Sequence, residues 1–142
     1  MSGLPNLIRL HKWKLEEHRR KLGDLEGLAR SFGDQIRGLE ERTRDEGKVA
    51  RDAPEVAHAL GGFVQATLAQ RDRLHSSLAD VEREIAEMRG RVGEAFRELK
   101  RYEVADARRR ERARLATNRR DRITEDEIGV QIYRRKDGAG GA

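Results

Sequence analysis

The sequence contains no cysteine, which excludes disulfide bonds and thiolate metal sites. Aromatic residues make up only 4% of the chain, whereas charged residues make up 40%. Because a globular core needs more bulky apolar side chains, this composition is typical of a disordered chain or of an elongated helical protein with a thin apolar seam. The chain has only two prolines, and disordered chains are usually proline-rich, so the helical alternative is favoured.

Long apolar runs and catalytic motifs are also missing. No run approaches the roughly 20 residues that a membrane-spanning helix needs, and no secretory signal opens the chain, so we expect a cytoplasmic protein. The sequence has no phosphate-binding loop, zinc-protease motif or serine-hydrolase motif. We therefore predict a single domain over residues 1–142 that is not an enzyme and binds no cofactor and no metal.

Two long stretches repeat mainly apolar residues with the alternating spacing of three and four that is typical of coiled coils. In the first half, the a and d positions are Ile8, His11, Leu15, His18, Leu22, Leu25, Ala29, Phe32, Ile36, Leu39 and Thr43. In the second half, they are Leu60, Val64, Thr67, Arg71, Leu74, Leu78, Val81, Ile85, Met88, Val92, Ala95, Leu99 and Tyr102. The two histidines are interpreted as polar seam positions, because about 10 Å of helix axis separates them, too far to share a metal ion.

The segment between the two repeats predicts a turn. Pro54 disfavours helix at Ala53, and Asp52 with Glu55 resembles a capping box. The predicted boundaries are helix one over about 5–50, a loop within about 45–60, helix two over about 55–122, and a tail over 123–142. Seams of equal length favour an all-α antiparallel coiled-coil hairpin with a longer second helix, although a parallel homodimer of the same seams remains an alternative.

The basic excess lies in one segment. Residues 1–96 carry 17 basic and 17 acidic side chains, whereas residues 97–122 carry 11 basic and 5 acidic ones. We expect the seam to end near Tyr102, so residues 103–122 would project as a single helix about 30 Å long. This arm carries Leu115 and a set of arginines, Arg108, Arg109, Arg110, Arg112, Arg114, Arg119, Arg120 and Arg122. Two interpretations remain open, a solvated charged helix and a docking arm for an acidic protein surface or nucleic acid.

Residues outside the seam raise further alternatives. Trp13 at position f would face water unless a partner covers it, whereas Phe63, Leu68 and Phe96 at positions g and e are ambiguous. Six glycines within the helical pattern indicate either a soft helix surface or the close approach of a partner's backbone; they are Gly23, Gly27, Gly33, Gly38, Gly90 and Gly93. Beyond the arm, Thr124 with Glu127 resembles a second capping box, ahead of Ile128, Val130, Ile132 and Tyr133. These residues indicate a short ordered terminal turn or a partner-bound peptide, and residues 138–142 are expected to form a flexible tail.

Three local stretches are informative beside the overall layout: residues 7–14 (LIRLHKWK), residues 62–66 (GFVQA), and residues 119–122 (RRDR) running into 125–128 (EDEI). They resemble, in this order, the opening helix, the start of the second helix and the ending of the FliJ family. Members of this family are small coiled-coil components of the bacterial flagellar type III export apparatus. The resemblance covers most of the chain.

The resemblance implies a set of partners. The N- and C-terminal end of the hairpin is expected to enter the hexameric export ATPase, FliI, and the chain is expected to touch the export gate, FlhA, and to cycle export chaperones at the cytoplasmic face of the inner membrane. The family's gate contact maps to the start of helix two, and the contact set is Phe63, Val64, Thr67 and Leu68. The arm suits the ATPase, with the docking set Trp13, Arg108, Arg109, Arg110, Arg112, Leu115, Arg119 and Arg120.

Two other functions remain as alternatives. A nucleic-acid-binding hairpin would use the same arginines on phosphates, although acidic residues lie among them and no aromatic residue follows Tyr102 in the arm. A structural spacer would depend on helix length alone, so its surface residues could be exchanged freely.

Overall fold

The computed structural model describes residues 3–140 and, within them, all side chains except those of residues 54, 56, 57, 59 and 139. It contains two helices, α1 over Leu4–Asp52 and α2 over Pro54–Gly140. The all-α class and the longer second helix are thereby confirmed. Neither helix contains, within the described residues, a stretch that is long and apolar enough to cross a membrane.

The break between the helices is a single residue, Ala53. Its amide donates to the carbonyl of Val49 over 3.0 Å and closes the last turn of α1. Pro54 then opens α2, where its fixed φ suits a first turn and its missing N–H leaves no lost hydrogen bond. The break is much shorter than the expected loop within residues 45–60, because polar residues alone do not interrupt a helix.

Residues 11–97 form one compact unit, the hairpin unit, in which α1 and α2 run antiparallel. In one contact between the helices, Oε1 of Glu26 in α1 lies 3.7 Å from a guanidinium nitrogen of Arg89 in α2. Further along α1, Thr43 lines a groove together with Leu68, which comes before Arg89 in α2. As the residue number rises along α1, the facing number falls along α2. The antiparallel alternative is therefore confirmed within one chain.

The core of the hairpin unit follows the predicted seam. Its buried residues are Leu15, Ile36, Leu39, Val81, Ile85, Met88 and Ala95, together with the polar His11 and Thr67. Every one of them occupies a predicted a or d position. Because only the a and d positions are buried, the core is a narrow strip along each helix, and the other faces of both helices lie in water.

The second compact unit, the terminal unit, comprises the described residues 3–10 and 98–140. Within it, Leu99 and Asp106 are buried and Tyr102 is half-buried. From residue 107 to residue 138 every side chain is exposed. Burial thus continues one turn beyond Tyr102, where the sequence predicted the seam to end.

The end of α2 also differs from the sequence prediction. The helix continues to Gly140 instead of ending near residue 122. Thr124 does not cap a new turn, because its hydroxyl donates to the carbonyl of Arg120 over 2.9 Å, the bond of a threonine inside a helix. No proline follows Pro54, and the single Gly129 costs only about 1 kcal/mol in a helix interior. Residues 141 and 142 of the expected flexible tail lie outside the described part of the chain.

Candidate interaction surfaces

Asp106 organises the start of the arginine-rich segment. Its carboxylate accepts a hydrogen bond from Arg109 over 2.9 Å and lies 3.1 Å from Nε of Arg110. The aspartate side chain is only 7% exposed, whereas both arginines are largely in solvent. The two guanidinium groups thereby compensate a carboxylate that would be costly to bury alone.

A second internal pair lies one turn further on. Arg114 donates to Glu111 over 2.6 Å, and this hydrogen bond lowers the pKa of the Glu111 carboxyl below its ordinary value. The same contact raises the pKa of the Arg114 guanidinium. Arg109, Arg110 and Arg114 are therefore already engaged by acidic side chains of their own helix.

The remaining arginines of the segment, Arg108, Arg112, Arg119, Arg120 and Arg122, make no ion pair within the described part of the chain. Four of these arginines and Leu115 follow one another along the chain at steps of four, three, four and three residues. This spacing places side chains on one helix face. We call this face the arginine stripe; it consists of Arg108, Arg112, Leu115, Arg119 and Arg122.

The arginine stripe combines free positive charge with one apolar contact. Leu115, at the centre of the stripe, is 45% exposed. The internally paired Arg110 and Arg114 lie on other faces of α2, away from the stripe, and so does Arg120. An acidic surface with an apolar pocket for Leu115 would complement this face.

The predicted gate contact divides into exposed and buried residues. Phe63 is 44% exposed, and Val64 and Leu68 are half-buried beside the seam. Thr67 is only 6% exposed, and its hydroxyl donates to the carbonyl of Phe63 over 2.9 Å. Thr67 is consequently a core residue of the hairpin unit and offers no surface to a partner, unlike the role expected for it from the sequence.

A groove of about 310 Å³ adjoins Leu68 in the hairpin unit. Glu40, Thr43 and Arg44 of α1 line one side, and Leu68 and Arg71 of α2 line the other. Arg71 pairs with Asp72 over 3.1 Å, whereas Arg44 makes no ion pair among the described residues. The exposed part of Leu68 therefore faces a groove that both helices line.

Trp13, His11 and His18 belong to α1 in the hairpin unit. Trp13 is 61% exposed and belongs to a different unit from the arginine stripe. His11 is buried in the seam, and Nδ1 of His18 is buried without a hydrogen-bond partner among the described residues. No group of three histidine or acidic side chains among the described residues could hold a metal ion.

Sequence reasoning missed the burial of Asp106 in the terminal unit, for which the only sequence signal is the arginines three and four residues later. It placed four apolar residues in a short terminal turn or a partner-bound peptide, namely Ile128, Val130, Ile132 and Tyr133. The structure instead places them in α2, where they are exposed together with Ile123.

Comparison with known proteins identifies one family. The family described as Flagellar FliJ protein matches residues 1–138, nearly the whole chain. No curated protein and no solved structure shows a significant match.

Proposed function

Since the chain belongs to the FliJ family and is thus a component of the flagellar export apparatus, we propose that it acts there as a non-enzymatic adaptor with two protein-binding surfaces. One surface is the arginine stripe, which would bind the export ATPase. The other is centred on Phe63, which would contact the export gate. In this role the chain also escorts export chaperones and works at the cytoplasmic face of the inner membrane.

The observation that carries the ATPase proposal is the separation of paired from unpaired arginines. Arg110 and Arg114 form ion pairs with acidic side chains of their own helix, whereas Arg108 and Arg112 have no partner among the described residues. Unpaired charges on one face are available to steer an acidic partner and to form ion pairs with it. Leu115 in the same row supplies an apolar anchor.

The experiment compares two double charge reversals, Arg108→Glu with Arg112→Glu and Arg110→Glu with Arg114→Glu. Both variants change the net charge equally, use the same spacing of four residues and lie within one helix. We expect the first variant to bind the export ATPase at least roughly tenfold more weakly, which corresponds to about 1.4 kcal/mol. Equilibrium binding to the purified ATPase and stimulation of its ATP hydrolysis are the two measurements.

The second variant is the matched control and should retain most of the binding. Circular dichroism of both variants establishes that α2 still forms. Equal losses from the two variants would mean that net charge, and not the arginine stripe, drives association. Unchanged binding by the first variant would refute the ATPase proposal.

The same variants separate this proposal from the two alternative functions. A nucleic-acid-binding protein would bind a DNA or RNA duplex without any protein partner, with an affinity that falls steeply with salt. A structural spacer would tolerate both double reversals without loss of flagellar export. The adaptor predicts loss of export only in the first variant.

A further inference from the structure

The last part of α2 exposes apolar side chains that the proposed adaptor surfaces do not use. Ile123, Val130 and Tyr133 are 59%, 50% and 68% exposed. Ile128 and Ile132 on the other side of the helix are about equally exposed. Several large apolar side chains within so few residues of a single helix indicate a contact surface.

Ile123 and Val130 share one face of this segment with charged residues. Together with Asp126, Glu127, Gln131 and Arg134 they line an open groove of about 400 Å³. The spacing of these positions is that of a single helix stripe. We call it the terminal face; it consists of Ile123, Asp126, Glu127, Val130, Gln131 and Arg134.

The charges of the terminal face have no partner in their own helix. Asp126 and Arg134 are eight residues apart, about 12 Å along the helix axis, which is too far for an ion pair. Neither they nor Glu127 makes an ion pair within the described part of the chain. This differs from Glu111 and Arg114, which are three residues apart and paired.

We propose that the terminal face is covered by a second copy of this chain, with the two helices antiparallel and Val130 at the twofold axis. Val130 lies midway between Asp126 and Arg134 in the sequence. A twofold axis at this residue brings the Asp126 carboxylate of each copy beside the Arg134 guanidinium of the other. The surface is therefore complementary to itself, as an isologous contact requires.

The alternative orientation is disfavoured by the same charges. In a parallel pair, Asp126 would face its own copy, and Arg134 would do the same. Like charges at close range oppose association, so the charge pattern selects the antiparallel arrangement. The terminal face does not overlap the arginine stripe, and this inference does not depend on the proposed function.

The contact between the two terminal faces is short, so the dimer is expected to be weak. Two helices that touch over about three turns bury less than the roughly 1,200 Å² of a typical stable interface. Dimers should accordingly form only at high protein concentration or where many copies gather. Exposed ion pairs are screened by salt, so dimerisation should weaken as ionic strength rises.

The absence of cysteine makes disulfide trapping a clean test of orientation. Two full-length variants, Asp126→Cys and Arg134→Cys, are mixed at low ionic strength and oxidised slowly. The antiparallel pair predicts that the mixed disulfide exceeds each homodisulfide roughly fivefold, because one ion pair and the twofold geometry both favour it. Homodisulfides in excess of, or equal to, the mixed product would overturn the proposal.

A charge exchange tests the same contact without cross-linking. Asp126→Arg and Arg134→Asp should each weaken dimerisation roughly fivefold in sedimentation equilibrium, and the two together should restore it. Glu125→Arg combined with Arg135→Asp, on the other side of the helix, is the control and should leave the mass unchanged. A wild-type chain that stays monomeric at all concentrations, or a double variant that fails to recover, would overturn the proposal.

Discussion

Single residues decide which parts of this molecule can meet a partner. Asp106 forms ion pairs with Arg109 and Arg110, and Glu111 forms one with Arg114, so these three arginines are less available to a partner. The sequence shows an excess of basic over acidic residues in this segment, and the structure divides its arginines into paired and unpaired ones. The relevant quantity for binding is thus the arrangement of charge around the helix and not its sum.

Phe63 provides a prediction at this scale. Phe63→Ala should weaken binding to the export gate by roughly 1–2 kcal/mol, because an exposed aromatic anchor loses its contact area. Thermal unfolding should change little, since 44% of the side chain is already in water. Equilibrium binding to the cytoplasmic part of the gate is the measurement.

Phe96 is the matched control for this substitution. It is 43% exposed, nearly the same as Phe63, and it also belongs to α2 in the hairpin unit. Phe96→Ala should leave gate binding intact. If both variants, or neither, bind the gate more weakly than the wild type, the contact is not centred on Phe63.

At the scale of the elements, the heptad pattern predicts the seam well because helical period decides which side chains of a two-helix hairpin face the other helix. His11 and Thr67 are buried as their positions require, although their side chains are polar. The burial of Asp106 could not be predicted in this way, because a carboxylate is stable in a buried position only when the arginines beside it pair with it. The exposed fraction of Phe63 likewise depends on how the two helices pack and could not be read from its heptad position.

Helix boundaries are the least predictable part. Pro54 correctly indicates a break, because its ring constrains the preceding residue whatever the tertiary structure. Thr124 misleads, since the same residue type either caps a helix or bonds to a carbonyl inside one. The sequence pattern alone does not distinguish these two states.

The interior glycines give a prediction at the scale of the helix. A Cβ atom added at Gly38 or Gly90 would meet no other atom, and neither residue has a positive φ. Alanine at each position should therefore raise the free energy of unfolding by about 0.5–1 kcal/mol. Thermal or urea unfolding followed by circular dichroism measures the effect.

The same substitutions distinguish the two interpretations of these glycines. If they only soften the helix surface, Gly38→Ala and Gly90→Ala should leave partner binding unchanged. Stabilisation accompanied by weaker binding to the ATPase, the gate or a chaperone would instead indicate close approach of a partner's backbone. A fall in stability would contradict the open space around both residues.

On the scale of the whole molecule, charge and exposure are distributed unevenly along the chain. Residues 1–96 are neutral in sum and contain most of the buried seam, whereas residues 107–138 are exposed throughout and include the arginine stripe and the terminal face. The proposed gate contact belongs to the hairpin unit, and the arginine stripe belongs to the terminal unit. The proposed adaptor would therefore bind its two partners through separate surfaces.

The thin core fits the proposed role within an export apparatus, to which membership of the FliJ family points. A component that is ordered within an export apparatus gains stability from its partners, because binding to the folded state alone shifts the folding equilibrium. The exposed residues 107–138 should then be the region whose order depends most on a partner.

The most direct test of the account is amide hydrogen exchange of the full chain, alone and with the export ATPase. The exposed helix of residues 107–122 should exchange quickly in the free chain, because no packing protects it, and should become protected in the complex. Peptides around Phe63 should exchange equally in both states. Unchanged exchange over residues 107–122, with protection appearing only elsewhere, would contradict the assignment of the arginine stripe as the ATPase-binding surface.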